Sequence, residues 1–357
     1  MATIGPTLEK PEDLRAAILA GAGWFRFPCG YRQRPHVENA SAVRAASAEV
    51  EMPVKLLLDL PSSRPRTGNM QELRMSPGDK VVFWDPECCS DGPKKNGALP
   101  VPLPGLTDLL RKLGPQQRMW FCDGRINFVV EEVRDATIRV RLVQAAVPLK
   151  SSNSLFLPDS PSPFTAITKE DRRLLQSFAD HKLLPDWVAL SLIASPEDVR
   201  AGRQEVREHL GNSVRIMAKF ETVTAVECAE DIIQAADGIM VARGDLGLAV
   251  GYVRLPEAQE YLVAAARQAG KPVVVATQVM EGFAETGVPQ RAELSDFSLI
   301  ARQRADAVML GKETVFSKRP IDCIRFATEI LAYETRRFEK SSNLASMGLL
   351  DTEAVTA

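Results

Sequence analysis

Histidine is scarce: the 357 residues include three, His36, His181 and His209. Imidazole catalysis and His-rich metal sites are therefore poor candidates, which leaves carboxylates, Lys and Arg to do any chemistry. Six cysteines occur without a C-x-x-C pair; Cys88 and Cys89 are adjacent and the others scattered. Such spacing suits reduced thiols better than a disulfide framework. No stretch approaches the ~18 consecutive apolar residues of a membrane span. The opening MATIGPTLEKPEDL has neither a basic n-region nor an apolar core, so no secretory signal is expected and a cytoplasmic location is. Forty-four Lys and Arg against 46 Asp and Glu leave a net charge of -2. That balance gives no bulk attraction to nucleic acid or anionic membranes, and neither is expected as a partner. With 45% apolar and 25% charged residues the chain is neither mainly disordered nor collagenous.

What is present is a rhythm of short apolar runs and helical stretches. Continuous apolar runs bounded by turn signals read as buried parallel strands. They are Ala2–Ile4, Trp24–Phe27, Val54–Leu58, Val188–Leu192, Val214–Ala218, Ile239–Ala242, Val273–Ala276 and Ala307–Leu310. Pro11–Ala20, Val37–Ala48, Pro256–Gln268 and Pro320–Arg337 read as helices between or after them. Ser195-Pro196-Glu197-Asp198 and Thr168-Lys169-Glu170-Asp171 read as helix starts, each with a hydroxyl cap and an acidic group reaching back. Eight strand–helix units argue for an α/β fold, a (β/α)8 TIM barrel, over an open sheet. The rhythm stops between Asp59 and Pro163. There Val81–Trp84, Met119–Phe121 and Thr137–Leu142 read as short antiparallel strands, with turns at Pro77-Gly78 and Asp123-Gly124. Ser151–Pro163 is rich in Ser and Pro and reads as a linker. The expected organisation is a catalytic barrel over residues 1–68 and 161–340, a small β-rich domain over 69–160 inserted after the third barrel strand, and a flexible tail over 341–357.

Active sites of such barrels lie at the C-terminal ends of the strands. The polar residues following the apolar runs are Arg26, Asp59, Ser191, Lys219 and Glu221, Arg243 and Asp245, Thr277 and Gln278, and Glu313 and Thr314. Together they predict a ring of cations and carboxylates around the barrel mouth. Glu221 and Asp245, on neighbouring strand ends, could share one hard divalent cation such as Mg²⁺ or Mn²⁺. Lys219, Arg26 and Arg66 could surround an anionic substrate. Lys219 stands among Ile216, Met217, Ala218 and Phe220, where a desolvated ammonium could carry a proton or stabilise developing negative charge. The run DGIMVARGDLG at Asp237–Gly247 places Gly244 at a bend, where the backbone could approach an anion closely.

That run resembles a signature of the pyruvate kinase family. So do IMAKFET at Ile216–Thr222, GKPVVVATQVME at Gly270–Glu281, RAELSDFSLI at Arg291–Ile300 and DAVMLGKET at Asp306–Thr314. ATIGPT at Ala2–Thr7, LLDLPSSRPRTG at Leu57–Gly68 and WFCDGRI at Trp120–Ile126 match more loosely. The resemblance spans the barrel and, weakly, the insert; the family's large C-terminal effector domain is not expected. It implies Mg²⁺-dependent phosphoryl transfer between phosphoenolpyruvate and ADP, giving pyruvate and ATP, in a cleft between barrel and inserted lid. By matching positions, Arg26 and Lys219 would contact the transferred phosphoryl group, with Arg66 near the phosphates. Glu221 and Asp245 would bind the divalent cation. The backbone of Arg243 and Gly244, with Thr277, would hold the substrate carboxylate, and Thr277 lies where a proton reaches the enolate. A homo-oligomer through the barrel is also possible for a chain of this kind.

The departures fall on one side. Where the family carries Asn, Ser and His after the arginine, this chain has Pro28, Gly30 and Tyr31. Its Thr-Lys after the aspartate becomes Leu60-Pro61, its lid lysines become Ser152 and Asn153, its Ser-Gly before Glu-Thr becomes Gly311-Lys312, and an arginine becomes Ala194. In the family, oxygens at the positions of Pro28, Gly30, Asp59 and Leu60 hold a potassium ion. Only Asp59 still offers a side-chain oxygen. Arg64 matches a position that is Glu in potassium-dependent members and Lys in independent ones. The expectation is that Arg64 pairs with Asp59, replaces the ion, and makes potassium unnecessary. Two other readings remain open at this stage: a metal-dependent pyruvate or phosphoenolpyruvate lyase or aldolase, and a catalytically weak regulatory relative.

Overall fold

The computed structural model describes every residue except 31–34, 90–91, 94–96, 111–112, 135, 160–166 and 347–357. Tyr31, part of the expected linker and most of the expected tail lie outside the described residues. In chain order the strands are β1 (Ala2–Thr3), β2 (Trp24–Pro28), β3 (Lys55–Leu60), β4 (Lys80–Trp84), β5 (Leu99–Pro102), β6 (Arg118–Phe121) and β7 (Ile126–Arg134). They continue with β8 (Thr137–Ala145), β9 (Trp187–Leu190), β10 (Arg215–Phe220), β11 (Gly238–Ala242), β12 (Val273–Ala276) and β13 (Ala307–Met309).

The apolar runs pair as one parallel sheet in the order β1-β2-β3-β9-β10-β11-β12-β13. A parallel bridge between Ala2 and Leu310 brings the last strand back to the first and closes the barrel. Side chains alternate across each strand, so one set points inward and the other toward the helices. The outward set, including Phe25, Leu56, Leu58, Val188, Ile216 and Val241, packs with the helices into the main core. The inward set of Leu57, Trp187, Ala189, Met217, Met240, Val274, Ala276 and Met309 forms an apolar plug within the barrel. The same alternation, carried toward the strand ends, stacks Arg26 over Trp24, Asp59 over Leu57 and Lys219 over Met217. Polar groups therefore gather at one mouth, above a dry floor.

Both expected helix starts are capping boxes. Thr168 and Asp171 exchange hydrogen bonds with each other's backbone amides at 3.2 and 2.9 Å. Ser195 and Asp198 do the same at 3.2 and 3.0 Å. Each cap is worth about 1 kcal/mol. The last helix runs from Pro320 to Ser346, past the expected end at Arg337 and into the stretch read as tail.

Between β3 and β9 a second sheet has the order β5-β4-β8-β7-β6. Sequence reading missed two of its strands. β5 carries Pro100 and Pro102, which lack the N–H that a central strand needs, and it lies at the sheet's edge beside β4 alone. β7 follows the expected turn at Asp123-Gly124, where Cys122, Asp123 and Gly124 all have positive φ and the chain doubles back to pair with β6. Phe83, Phe121 and Phe128 pack against one another at the centre of this lid, separately from the barrel. The two crossings between barrel and lid pair with each other: Thr67 N donates to Asn153 O and Ser152 N to Thr67 O, both at 2.9 Å.

Candidate active site

A cavity of about 310 Å³ opens between the barrel mouth and the lid, with Asp123 and Ser154 of the lid on its wall. Of the residues expected at the site, Arg26, Asp59, Arg64, Arg66, Lys219, Glu221, Gly244, Asp245 and Thr277 all line it. Strand register explains the first group. Arg26 and Asp59 come from neighbouring β2 and β3, and Ser191 follows β9 on the other side of β3. Lys219 on β10 sits next in the ring.

Asp59 is the hub. Its Oδ2 accepts from Arg26 Nε at 2.6 Å, and its Oδ1 lies 3.0 Å from Lys219 Nζ. Burial favours its neutral form, but the two cations override this and hold its pKa down at about 2. Lys219 Nζ is also 3.0 Å from Glu221 Oε1 and donates to Ser191 Oγ at 2.7 Å. Burial works against its charge, yet Asp59 and Glu221 more than compensate and raise its pKa. The ammonium thus has three partners, and two of them favour its charged form. Glu221 Oε2 accepts from the amide of Leu192 at 2.7 Å, which fixes the carboxylate on the cavity side.

Two expectations about arginines are corrected. Arg64 does not pair with Asp59, whose two oxygens are taken by Arg26 and Lys219. Its Nη1 instead lies 2.9 Å from Asp245 Oδ2. Arg243 leaves the ring of mouth cations altogether. Its guanidinium turns back, 2.7 Å from Asp296 Oδ1, and donates to Thr277 O at 2.8 Å. The reason is local: Arg243 opens the helix Arg243–Val250, and its side chain meets the loop after β12.

That loop is strained. Thr277 and Gln278 have φ of 73° and 53°, a region that β-branched residues rarely enter. Three bonds hold it there. Arg243 grips the Thr277 carbonyl, Thr277 Oγ1 donates to Ala276 O at 2.6 Å, and the same oxygen accepts from Gly244 N at 2.8 Å. Gly244 is not needed for a bend. It lies in the first helical turn, and an added Cβ would meet Thr277 Oγ1 at an ordinary 3.6 Å.

Several cavity residues escaped the sequence reading: Asp123, Glu281, Lys312 and Phe316. Lys312 Nζ lies 3.2 Å from Glu281 Oε1 and 3.7 Å from the lid's Asp123 Oδ2, so it touches both sides of the cleft. Sequence showed Lys312 only as a departure, and nothing in the chain order announces that a turn near residue 123 meets one near 312. Glu313, buried, accepts from the amides of Gly311, Val279 and Met280, so it secures backbone and not a ligand.

Among the described residues no group of three or more His, Cys, Asp or Glu is placed to hold a metal. Two carboxylates on one wall are a poor donor set for zinc but suit Mg²⁺, which keeps several water or substrate oxygens. Glu221 and Asp245 therefore fit a hard divalent cation that a ligand helps to coordinate.

The closed (β/α)8 barrel, with a second sheet inserted after its third strand and a mouth lined by both cations and carboxylates, has the architecture of a barrel enzyme. The family model for the pyruvate kinase barrel domain matches residues 1–324. Pyruvate kinases from Methylorubrum extorquens and Thermococcus litoralis are 32% and 30% identical to the chain, over 91% and 96% of it. A pyruvate kinase from Agrobacterium vitis is 30% identical over 93%. The chain spans 66%, 70% and 68% of these relatives' lengths, about two thirds. The chain belongs to the pyruvate kinase family.

Proposed function

We propose that the protein catalyses Mg²⁺-dependent phosphoryl transfer between phosphoenolpyruvate and ADP. One observation carries the reading: Lys219 is held between Asp59 and Glu221 on the wall that also bears Arg26 and Asp245. Phosphoryl transfer needs little covalent help and much positioning and charge neutralisation. Arg26 and Lys219, both fixed by Asp59, are preorganised donors for the oxygens of the transferring group. Arg66, which donates to Ser152 O at 3.0 Å, offers a further guanidinium where lid and barrel join. Glu221 and Asp245 would hold the divalent cation, which supplies Lewis-acid neutralisation of substrate oxygens. The amide end of the helix Arg243–Val250 faces the cavity beside Gly244 and favours the substrate carboxylate. Thr277 lines the same cavity, and its hydroxyl would have to turn from Ala276 O to relay a proton to the enolate.

Potassium is not part of this scheme, because Asp59, the one side-chain oxygen left at the expected ion site, is already shared by two cations. Family membership disfavours the lyase or aldolase reading, and no contact in the cleft favours it. No helix among the described residues is long and apolar enough to cross a membrane. The test is pyruvate formation from phosphoenolpyruvate with a panel of nucleoside diphosphates, with and without Mg²⁺. Pyruvate appearing without stoichiometric nucleoside triphosphate would reject the phosphotransferase. Asp245→Ala should abolish Mn²⁺-dependent binding of oxalate; unchanged affinity would remove Asp245 from the metal site.

A further inference from the structure

One buried charge in the cleft is left over from this reaction scheme. The Arg64 side chain is 9% exposed and pairs with Asp245, one of the two carboxylates assigned to the metal. Glu221 and the lid's Asp123 also attract it. Its Nε is buried and has no hydrogen-bond partner among the described residues. Buried donors of this kind are rare, and one beside a ligand cavity points to an acceptor that arrives with the ligand.

The charges nearby close into a balanced set. Asp59, Glu221 and Asp245 face Arg26, Lys219 and Arg64, and each carboxylate has a cation within 3.0 Å. A divalent cation entering alone between Glu221 and Asp245 meets no carboxylate that lacks a cation of its own. It must also share Asp245 with a guanidinium that cannot lose its proton. An anionic substrate changes both conditions. It brings negative charge and metal-ligating oxygens, and it gives the idle Nε of Arg64 an acceptor, so that Asp245 is released.

We propose that Arg64 is a resident counter-ion for Asp245 that makes divalent-metal binding depend on an anionic substrate. The proposal rests on Glu221 and Asp245 being the metal ligands. Arg64 then sets the order in which the site fills: it leaves Asp245 for the bound anion.

The experiment titrates the full chain with Mn²⁺, following the electron paramagnetic resonance signal of the free ion, with and without oxalate as the planar dianion. Wild type should bind Mn²⁺ weakly alone and at least about tenfold more tightly with oxalate, within the usual range of coupling between two ligands. Arg64→Gln should bind Mn²⁺ alone about tenfold more tightly than wild type, and oxalate should add less. Arg64→Lys, which keeps the charge but has no second nitrogen for the anion, should bind Mn²⁺ alone as weakly as wild type and gain less from oxalate. If Arg64→Gln binds Mn²⁺ no more tightly than wild type, Arg64 only orients Asp245 and the proposal fails. Tight binding of Mn²⁺ by wild type without oxalate overturns it without any variant. Absence of Mn²⁺ binding by wild type even with oxalate rejects the metal site itself, a failure that belongs to the underlying reading and is visible as such.

Discussion

Along β2, β3 and β10 the ionised side chains of the cleft are shared and largely buried, whereas at the loop after β13 they are few and wet. Asp59, Lys219 and Glu221 are each less than a tenth exposed and linked by contacts of 3.0 Å. Pro28, in register with Asp59, and Gly30 and Pro61 line the cavity with no side-chain oxygen, and the loop after β13 adds Phe316, which is 63% exposed. Lys312 there is half-exposed, in ion pairs that solvent screens. In the proposed reaction the first of these groups would meet developing charge with side chains already fixed. The other leaves its occupant to be held by few fixed groups, and it is where the chain departs from the family pattern.

The hardest blow to this contrast is the loss of Lys219. Lys219→Met should lower turnover by about a hundredfold or more, since a donor aimed at developing charge is worth ~2.7–4 kcal/mol. It also leaves Asp59 and Glu221 without their shared cation, so stability should fall by about 3 kcal/mol, read by urea unfolding. Turnover near wild type would make the lysine a structural tie alone.

Acid should expose the same wall. Asp59 is held at about 2, below its unfolded value, so between pH 4 and 2 the unfolded chain binds more protons than the folded one. The stabilisation is complete above pH 4 and is lost as pH falls through 2. Its size is about 2 kcal/mol. Asp59→Asn should therefore flatten the stability profile across that window. A profile as steep as wild type would move the acid sensitivity elsewhere.

The rigid wall was also the legible one. Alternation along β3, β9 and β10 placed Asp59, Ser191, Lys219 and Glu221 at one barrel mouth, because a period of two is a local property of a strand. What sequence could not show were choices among nearby partners. Arg64 could reach Asp59 or Asp245, and the order of claims decides: Arg26 and Lys219 take Asp59 from adjacent strands, and the loop arginine takes what remains. Arg243 was misplaced for a similar reason. Its position after a strand pointed to the mouth, while the strained Thr277 carbonyl and Asp296, distant in sequence, draw it away. The lid strand β5 was hidden by prolines, which composition reads as loop, and β7 was missed although the turn before it at Asp123-Gly124 was legible.

A weaker effect is expected from the link across the cleft. Lys312 joins Glu281 to the lid's Asp123, but its side chain is 52% exposed. Exposed pairs are worth ~0.2–1 kcal/mol. Lys312→Ala should thus change the KM for either substrate by less than about fivefold, with kcat nearly unchanged. A hundredfold change would mean that the ammonium holds a substrate phosphate and that the wet wall grips its ligand as firmly as the rigid one.

The smallest expected effect is that of potassium, and it tests the contrast at its seam. Asp59 belongs to the rigid wall but borders Pro28 and Leu60, the emptied positions of the ion site expected from the resemblance. A monovalent cation there would have to share a carboxylate already bonded to Arg26 Nε at 2.6 Å and Lys219 Nζ at 3.0 Å. It would gain no other side-chain oxygen, and two fixed cations would repel it. Independence from potassium then follows from Asp59 being occupied, whichever carboxylate Arg64 chooses. Replacing potassium by tetramethylammonium at constant ionic strength should alter turnover less than about twofold, whereas a tenfold activation is roughly 1.4 kcal/mol of barrier. Such activation would mean that the ion displaces Arg26 or Lys219 and that the wall is softer than its contacts imply. Arg64→Glu sharpens the result. It places a carboxylate beside Asp245 and should lower activity, and added potassium should restore little, because Pro28, Gly30 and Leu60 still bring no side-chain oxygen to hold the ion.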